Sequence, residues 1–343
     1  MNKYIIQQTE SIKDALVALN QISSDTQSLL VVDEEQKLVG TLTDGDIRRG
    51  LILGIDLTDP VTAIMHKDFK YILESEFDVA RLKVFRDKRV LFIPILDAER
   101  HIVDVINLKK YKSHLPIDVV LMAGGKGERL RPLTEKTPKP LLPVGDKCII
   151  DHNVDSLISY GVDHINVTVN YLGEQITEHY SKPRSGVQIR TFREPRFFGT
   201  IGSIKFVDSF CNDTLLVMNS DLFTNIDYED FFLHFQSHEA EMSVAAVPYN
   251  VSIPYGILDL DGIEIKGLQE KPKYNYYANA GIYLIKKDVL DQIPDNEFFN
   301  ATDLIDKLIS QNKKVIRYPL NGTWFDIGTP TEYQKALDFV KHL

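Results

Sequence analysis

Residues 119–144, VVLMAGGKGERLRPLTEKTPKPLLPV, hold the densest chemistry in the chain. Four apolar residues run straight into Ala123, Gly124, Gly125, Lys126 and Gly127. A short apolar run ended by glycines predicts a buried strand feeding a tight loop. Glycines in that place let backbone N–H groups turn toward an anion with no Cβ in the way. Arg129 and Arg131 follow, and Lys139 stands between Pro138 and Pro140, whose fixed φ holds it at a set distance from the glycines. The combination is a phosphate cradle with a cationic wall. It is neither of the two commoner phosphate loops. A Walker loop requires Ser or Thr where Gly127 stands, and the dinucleotide fingerprint requires a third glycine where Leu130 falls. A solvated glycine-rich surface loop is the plain alternative, and the prolines around Lys139 argue against it.

Residues 124–130, Pro132-Leu133-Thr134 and Pro138-Lys139-Pro140 resemble the signature of the sugar nucleotidyltransferases, Gly-Gly-x-Gly-x-Arg-Leu, Pro-Leu-Thr and Pro-Lys-Pro. Glu128 departs from the frequent Thr or Ser, which removes one hydroxyl contact to phosphate. The resemblance implies a Mg²⁺-dependent enzyme that joins an NTP and a sugar 1-phosphate into an NDP-sugar, releasing pyrophosphate. It implies Arg129 and Lys139 as the catalytic cations. It implies Leu121, Ala123, Gly124, Gly125, Gly127, Glu194 and Gly199 around the nucleotide, and Gly202, Glu270, Lys271 and Asn279 around the sugar phosphate. Asp221 follows the apolar run 215–218, and Asp326 lies in Trp-Phe-Asp-Ile-Gly-Thr-Pro at 324–330. The same resemblance makes these two the metal ligands. A hard dication held by one or two carboxylates with phosphate oxygens and water suits such a pair. Read singly, each aspartate is more ordinarily a cap or turn residue.

Base choice turns on one position. Thymidylyl and uridylyl relatives read the base with a glutamine five residues before the glycine matched by Gly199, and here that residue is Glu194. An amide offers one donor and one acceptor, whereas a carboxylate offers only acceptors. Guanine presents two adjacent donors, which favours GTP. Glu194-Pro195 also reads as turn chemistry. Two alternatives stand beside this reading: a uridylyl- or thymidylyltransferase for another hexose 1-phosphate, and an inactive nucleotide-sensing protein.

Composition bounds the class. The chain has 343 residues, room for about two domains. Hydrophobic content of 43% and charged content of 26% are ordinary for a globular protein. A net charge of −10 with no long basic run disfavours a nucleic-acid partner. Two cysteines, Cys148 and Cys211, are too few and too far apart for a disulfide or zinc framework. The first residues turn polar too soon for a signal peptide, and no apolar run approaches membrane-spanning length. A cytoplasmic protein with no membrane partner is the expectation.

Residues 1–112 carry an internal repeat, SLLVVDEEQKLVGTLT at 28–43 and FIPILDAERHIVDVIN at 92–107, offset by 64 residues. Ser11 and Ser75 obey the same offset as N-caps of the preceding helices. The repeat predicts two helix–strand–strand–helix copies packed into one α+β module. Leu-Val-Gly-Thr-Leu-Thr-Asp-Gly-Asp at 38–46 resembles a CBS domain, the adenosine-nucleotide-sensing module. The resemblance implies Thr43 and Asp46 as contacts to one adenosine or guanosine nucleotide, and association into a homo-oligomer. Asn107 and Lys110 occupy those places in the second copy, so one ligand site is expected. The alternative is that Asp44 or Asp46 caps the next helix.

From 117 to 343 strands and helices alternate, which predicts an α/β, doubly wound and mostly parallel sheet with ligand beyond the strands' carboxyl ends. The whole architecture, CBS module ahead of transferase, resembles the guanylyltransferases that make GDP-glucosamine for bacterial legionaminic acid, which implies glucosamine 1-phosphate as the sugar substrate.

Overall fold

Val119, Val120 and Leu121 are apolar on both faces of a strand, a pattern that only a sheet covered on both sides can hold. The computed structural model, which describes residues 2–341, places them in the interior of a seven-stranded sheet. Its strands in chain order are β1 (Asp118–Ala123), β2 (His164–Val169), β3 (Arg190–Arg193), β4 (Thr214–Asn219), β5 (Met242–Ser252), β6 (Lys273–Lys286) and β7 (Val315–Pro319). They lie in the order β3-β2-β1-β4-β6-β5-β7. The chain divides into two compact units, and this sheet belongs to the second, Leu115–Ile158 with Val162–Leu343.

The expected doubly wound, mostly parallel sheet is what forms. β1 runs parallel to β2 and β4, β2 to β3, and β5 to β7. β6 departs, pairing antiparallel with both β4 and β5. The reason is local. Only a two-stranded hairpin, Ile257–Asp261 against Glu264–Gln269, separates β5 from β6, and without a helical crossover the strand must return antiparallel. The helix Ile149–Ser159 buries Ile150, Val154 and Leu157, and Gly161 beyond it takes φ +73°. The helix Ala301–Ser310 brings Leu304 and Leu308 into one core with Val120 and Val217. The winding reverses between β1 and β4, and at such a point the loops after the strands part to leave a crevice.

The first unit repeats itself in register. Ser28 pairs with Thr43 and Phe92 with Asn107, and each hairpin shifts register at the same place, Val31/Val32 and Ile95/Leu96. Leu30, Val32 and Leu38 of one copy share a core with Leu96 and Ile102 of the other, so each covers what its twin cannot bury alone. Two expectations fail. The N-cap of the second helix, Val79–Asp87, is Asp78, and Ser75 lies in a preceding 3₁₀ turn. The closing helix exists only in the first copy, as Asp44–Ile52; after Asn107 the chain makes a turn and leaves. Leu115-Pro116 follows within a few residues, and a residue before proline is held out of the helical region. No helix among the described residues is long and apolar enough to cross a membrane.

Candidate active site

The glycine loop leaves the carboxyl end of β1 and forms one wall of a cleft of about 600 Å³. Residues from 122 to 328 converge on it, all from the second unit. Gly127 takes φ +61°, and a Cβ there would stand 2.9 Å from Thr134 Cγ2 and 3.2 Å from Lys139 Cβ. Glycine is therefore what lets Lys139 come up against the loop. Thr134 Oγ1 closes the turn by donating to the Gly127 carbonyl at 2.8 Å.

Lys139 is 8% exposed and its ammonium donates to Asp221 Oδ2. Asp326 Oδ1 lies 4.0 Å from the same nitrogen. The two aspartates, far apart in the chain, are joined by a short antiparallel ribbon, Leu222–Thr224 against Trp324–Asp326, in which Leu222 pairs with Asp326. Ile327 N–H donates to the Asp221 carbonyl at 3.2 Å, and Trp324 Nε1 donates to Ala280 O at 3.0 Å, fixing both ends of the ribbon. Burial and the neighbouring Asp221 carboxylate hold the Asp326 carboxyl above the usual range, against the pull of Lys139 and Arg129. Asp221 Oδ1 is buried with no hydrogen-bond partner among the described residues. A buried carboxylate oxygen without a donor is costly, and a hard cation is what such an oxygen suits. The donor set therefore fits a magnesium ion.

Glu194 is 2% exposed and accepts the Phe198 N–H at 3.0 Å through Oε2. A Cβ on Gly124 would collide with its Oε1. Burial pushes the carboxyl up to about 7, opposed by that one N–H.

The structure thus brings together on the cleft Ala123, Gly124, Gly125, Gly127, Arg129, Lys139, Glu194, Gly199 and Asp221, with Asp326 adjoining. Others stand apart. Leu121 is a fully buried strand residue, paired with Val167 and Met218. Gly202 is buried in a 3₁₀ turn and donates its N–H to Phe299 O at 3.0 Å. Glu270 and Lys271 follow the exposed hairpin with side chains 67% and 68% exposed. Asn279 spends its amide within its own strand, accepting the Gly281 N–H and donating to Tyr283 Oη, both at 2.9 Å. In the first unit Thr43 and Asp46 form a reciprocal capping box, the Asp46 Oδ2 accepting from Thr43 N and Oγ1, and Arg49 closing on Oδ1. The capping alternative is thus the arrangement seen.

Asn170 and Ser220 also line the cleft, and sequence reading gave them no role. Asn170 and Ser220 come directly after strands whose carboxyl ends open on the cleft, which is the signal that could have found them. The lining is balanced in charge: Lys126, Arg129 and Lys139 face Glu128, Glu194 and Asp221. Side chains alone do not neutralise a triphosphate.

The nucleotidyl transferase family model matches residues 118–342. The chain belongs to the nucleotidyl transferase family. The CBS domain model matches residues 1–53, so this family member carries an N-terminal CBS domain. Among relatives, the bifunctional protein GlmU of Methanocaldococcus jannaschii is 31% identical over 229 residues, covering 64% of this chain and 53% of that protein. The mannose-1-phosphate guanylyltransferase catalytic subunit beta of Xenopus tropicalis is 27% identical over 229 residues, 62% of each. The chain thus spans between 53% and 62% of the length of these relatives. The solved structure of HddC from Yersinia pseudotuberculosis shares the fold, with a TM-score of 0.51 and 24% identity over 65% of this chain and 99% of that one.

Proposed function

We propose that the second unit transfers a nucleoside monophosphate from an NTP, GTP by preference, to a sugar 1-phosphate, giving an NDP-sugar and pyrophosphate. The observation that carries the reading is the Lys139–Asp221–Asp326 group beside the glycine loop, with one buried carboxylate oxygen left without a donor. The loop's backbone N–H groups cradle the phosphates, and Arg129 and Lys139 set positive charge at the α-phosphate. A sugar-phosphate oxygen is already a competent nucleophile. It forms a bond to the α-phosphorus as the bond to pyrophosphate breaks, so the chain needs no nucleophile of its own and acts by alignment. Asp221 and Asp326 would hold Mg²⁺, which would supply the neutralisation that the balanced lining lacks. Several of the curated relatives are named for mannose 1-phosphate and guanylyl transfer. Glucosamine 1-phosphate is the acceptor we favour, with Glu270, Lys271, Asn279 and Gly202 as its neighbours in the loaded state. For Glu270 and Lys271 this requires the exposed hairpin to fold over the cleft.

A second reading rests on Glu194. At a pKa of about 7 its protonated form offers one donor and one acceptor, as an amide does, and would admit a pyrimidine. For the first unit we propose one adenosine or guanosine nucleotide at Thr43 and Asp46, reached by opening the capping box. The deciding experiment is pyrophosphate release over a grid of four NTPs and the 1-phosphates of glucosamine, mannose and glucose. Turnover with GTP above the others supports the reading; preference for UTP or dTTP at pH 8 overturns the base assignment, and no turnover in any cell overturns the activity.

A further inference from the structure

Asp118, His164 and Cys211 meet at the amino-terminal edge of the central sheet, the edge opposite the cleft. One ligating atom from each, a carboxylate oxygen, an imidazole nitrogen and the thiol sulfur, all lie within 4.8 Å of one another. The topology puts them there. Asp118 opens β1, its register partner on β2 is His164, and its partner on β4 is Leu215, just after the bend that holds Cys211. Asn212 donates both its backbone N–H, at 2.6 Å, and its carboxamide, at 3.2 Å, to Oδ2 of Asp118. Both bonds fall on one oxygen, so the carboxylate is oriented while Oδ1 has no hydrogen-bond partner among the described residues. Asp118 is 1% exposed, but Cys211 and the His164 ring are open to solvent, which gives an entry path. The Asp163 carboxylate, 3.6 Å from His164 Nε2, adds negative charge at the rim.

We infer that these three side chains form a binding site for a borderline dication of the zinc class, with water in the fourth place. Thiolate and imidazole together select against Mg²⁺ and Ca²⁺, which take oxygen donors. Three protein ligands of mixed S, N and O type with one open position suit tetrahedral Zn²⁺. Bonds of about 2.0–2.3 Å put neighbouring donors of a tetrahedron about 3.3–3.8 Å apart. Closing from the observed spacing requires only small rotations of the exposed Cys211 and His164, with the held Asp118 as anchor. Counting cysteines cannot reveal such a site, because its ligands stand 46 and 47 residues apart and become neighbours only through strand pairing. The other cysteine offers an internal contrast. Cys148 lies near Asp151 and His179, but Asp151 already accepts from Tyr180 at 2.9 Å, contacts His179 at 2.9 Å and pairs with the Arg184 guanidinium at 3.2 Å. That guanidinium repels a dication. β1 rises about 3.3 Å per residue, so the site stands about 16 Å from the loop end of the strand, and the metal braces the sheet edge.

The test is a titration of the full chain with Co²⁺ alone, in excess Mg²⁺ to occupy the oxygen-only sites. A thiolate-to-cobalt band with tetrahedral d–d absorption should saturate at one equivalent and be displaced by Zn²⁺. Cys211→Ser should abolish the thiolate band, His164→Gln should weaken binding at least about tenfold, and Cys148→Ser should change nothing. Transferase turnover of Cys211→Ser should match wild type. No thiolate band in the wild type, or a band that survives Cys211→Ser or is lost in Cys148→Ser, overturns the inference.

Discussion

Glu194 makes the stability of the second unit depend on pH in a direction that can be worked out. Its carboxyl is buried against Gly124 with a single N–H donor, and burial pushes its pKa up to about 7 from the ordinary 4.5. The folded protein therefore holds this proton more tightly than the unfolded chain does. The group's contribution is fully present below pH 4.5 and is lost as pH rises through about 7. At 1.36 kcal/mol per tenfold in proton affinity, the loss approaches about 3 kcal/mol by pH 9. Glu194→Gln keeps the size and an oxygen for the Phe198 N–H, and it cannot ionise. The variant should equal wild type in stability at pH 4.5 and exceed it by up to about 3 kcal/mol at pH 9. For a unit of this length that is about 6–12 °C in Tm. Scanning calorimetry of both proteins from pH 4.5 to 9 checks it, since groups shared by the two cancel in the difference. A gap independent of pH would show that ionisation of Glu194 is not the cause, and a more stable wild type at pH 9 would refute the direction.

The same proton should govern the base. The ratio of kcat/KM for GTP over UTP should fall as pH drops below about 7, where Glu194 gains a donor; a ratio flat from pH 6 to 8.5 separates base choice from this carboxyl. Asp326→Ala should abolish Mg²⁺-dependent turnover while the protein stays folded, because Lys139 keeps its bond to Asp221. Activity near wild type at limiting Mg²⁺ removes Asp326 from the metal site. Lys139→Ala should lower kcat by about 10²–10³, the cost of losing one preorganised charge partner; a change confined to KM for the sugar phosphate moves it away from the α-phosphate. In the first unit Asp46→Ala should cost about 1 kcal/mol through the lost cap and abolish the calorimetric heat of AMP, ATP, GMP or GDP. Heat that survives the substitution places the nucleotide elsewhere.

Much of this molecule is legible in one dimension because its signals are local. The run into Gly124 announces a buried strand and a bare loop, and the repeat offset by 64 residues survives down to the shared register shift. The glycine-loop wall of the cleft was legible for the same reason: Gly127, Lys139 and Thr134 meet within one segment. What escaped reading depends on distant strands or on competition for a side chain. β6 runs antiparallel because a hairpin, not a helix, precedes it, and that pairing of 257–261 with 264–269 is not marked by any apolar run. The amide of Asn279 is engaged by Gly281 and Tyr283, a pairing that its place in the sequence does not announce. Ser75 matches Ser11 by position, yet Asp78 takes the cap, since an aspartate nearer the helix competes for the same N–H groups.

The placement of β6 has a consequence for synthesis. Strand β4 ends at Asn219, but the strand that seals its open side is not complete until Lys286. At about 5–20 residues per second the ribosome needs roughly 3 to 13 s to cover that interval. For all of it the nascent chain presents Thr214–Asn219, an apolar row of unpaired N–H and C=O groups, to whatever is nearby. Substitutions that slow translation between positions 220 and 286, or that weaken β6, should therefore show first as insoluble protein in the cell, with the soluble fraction of normal specific activity.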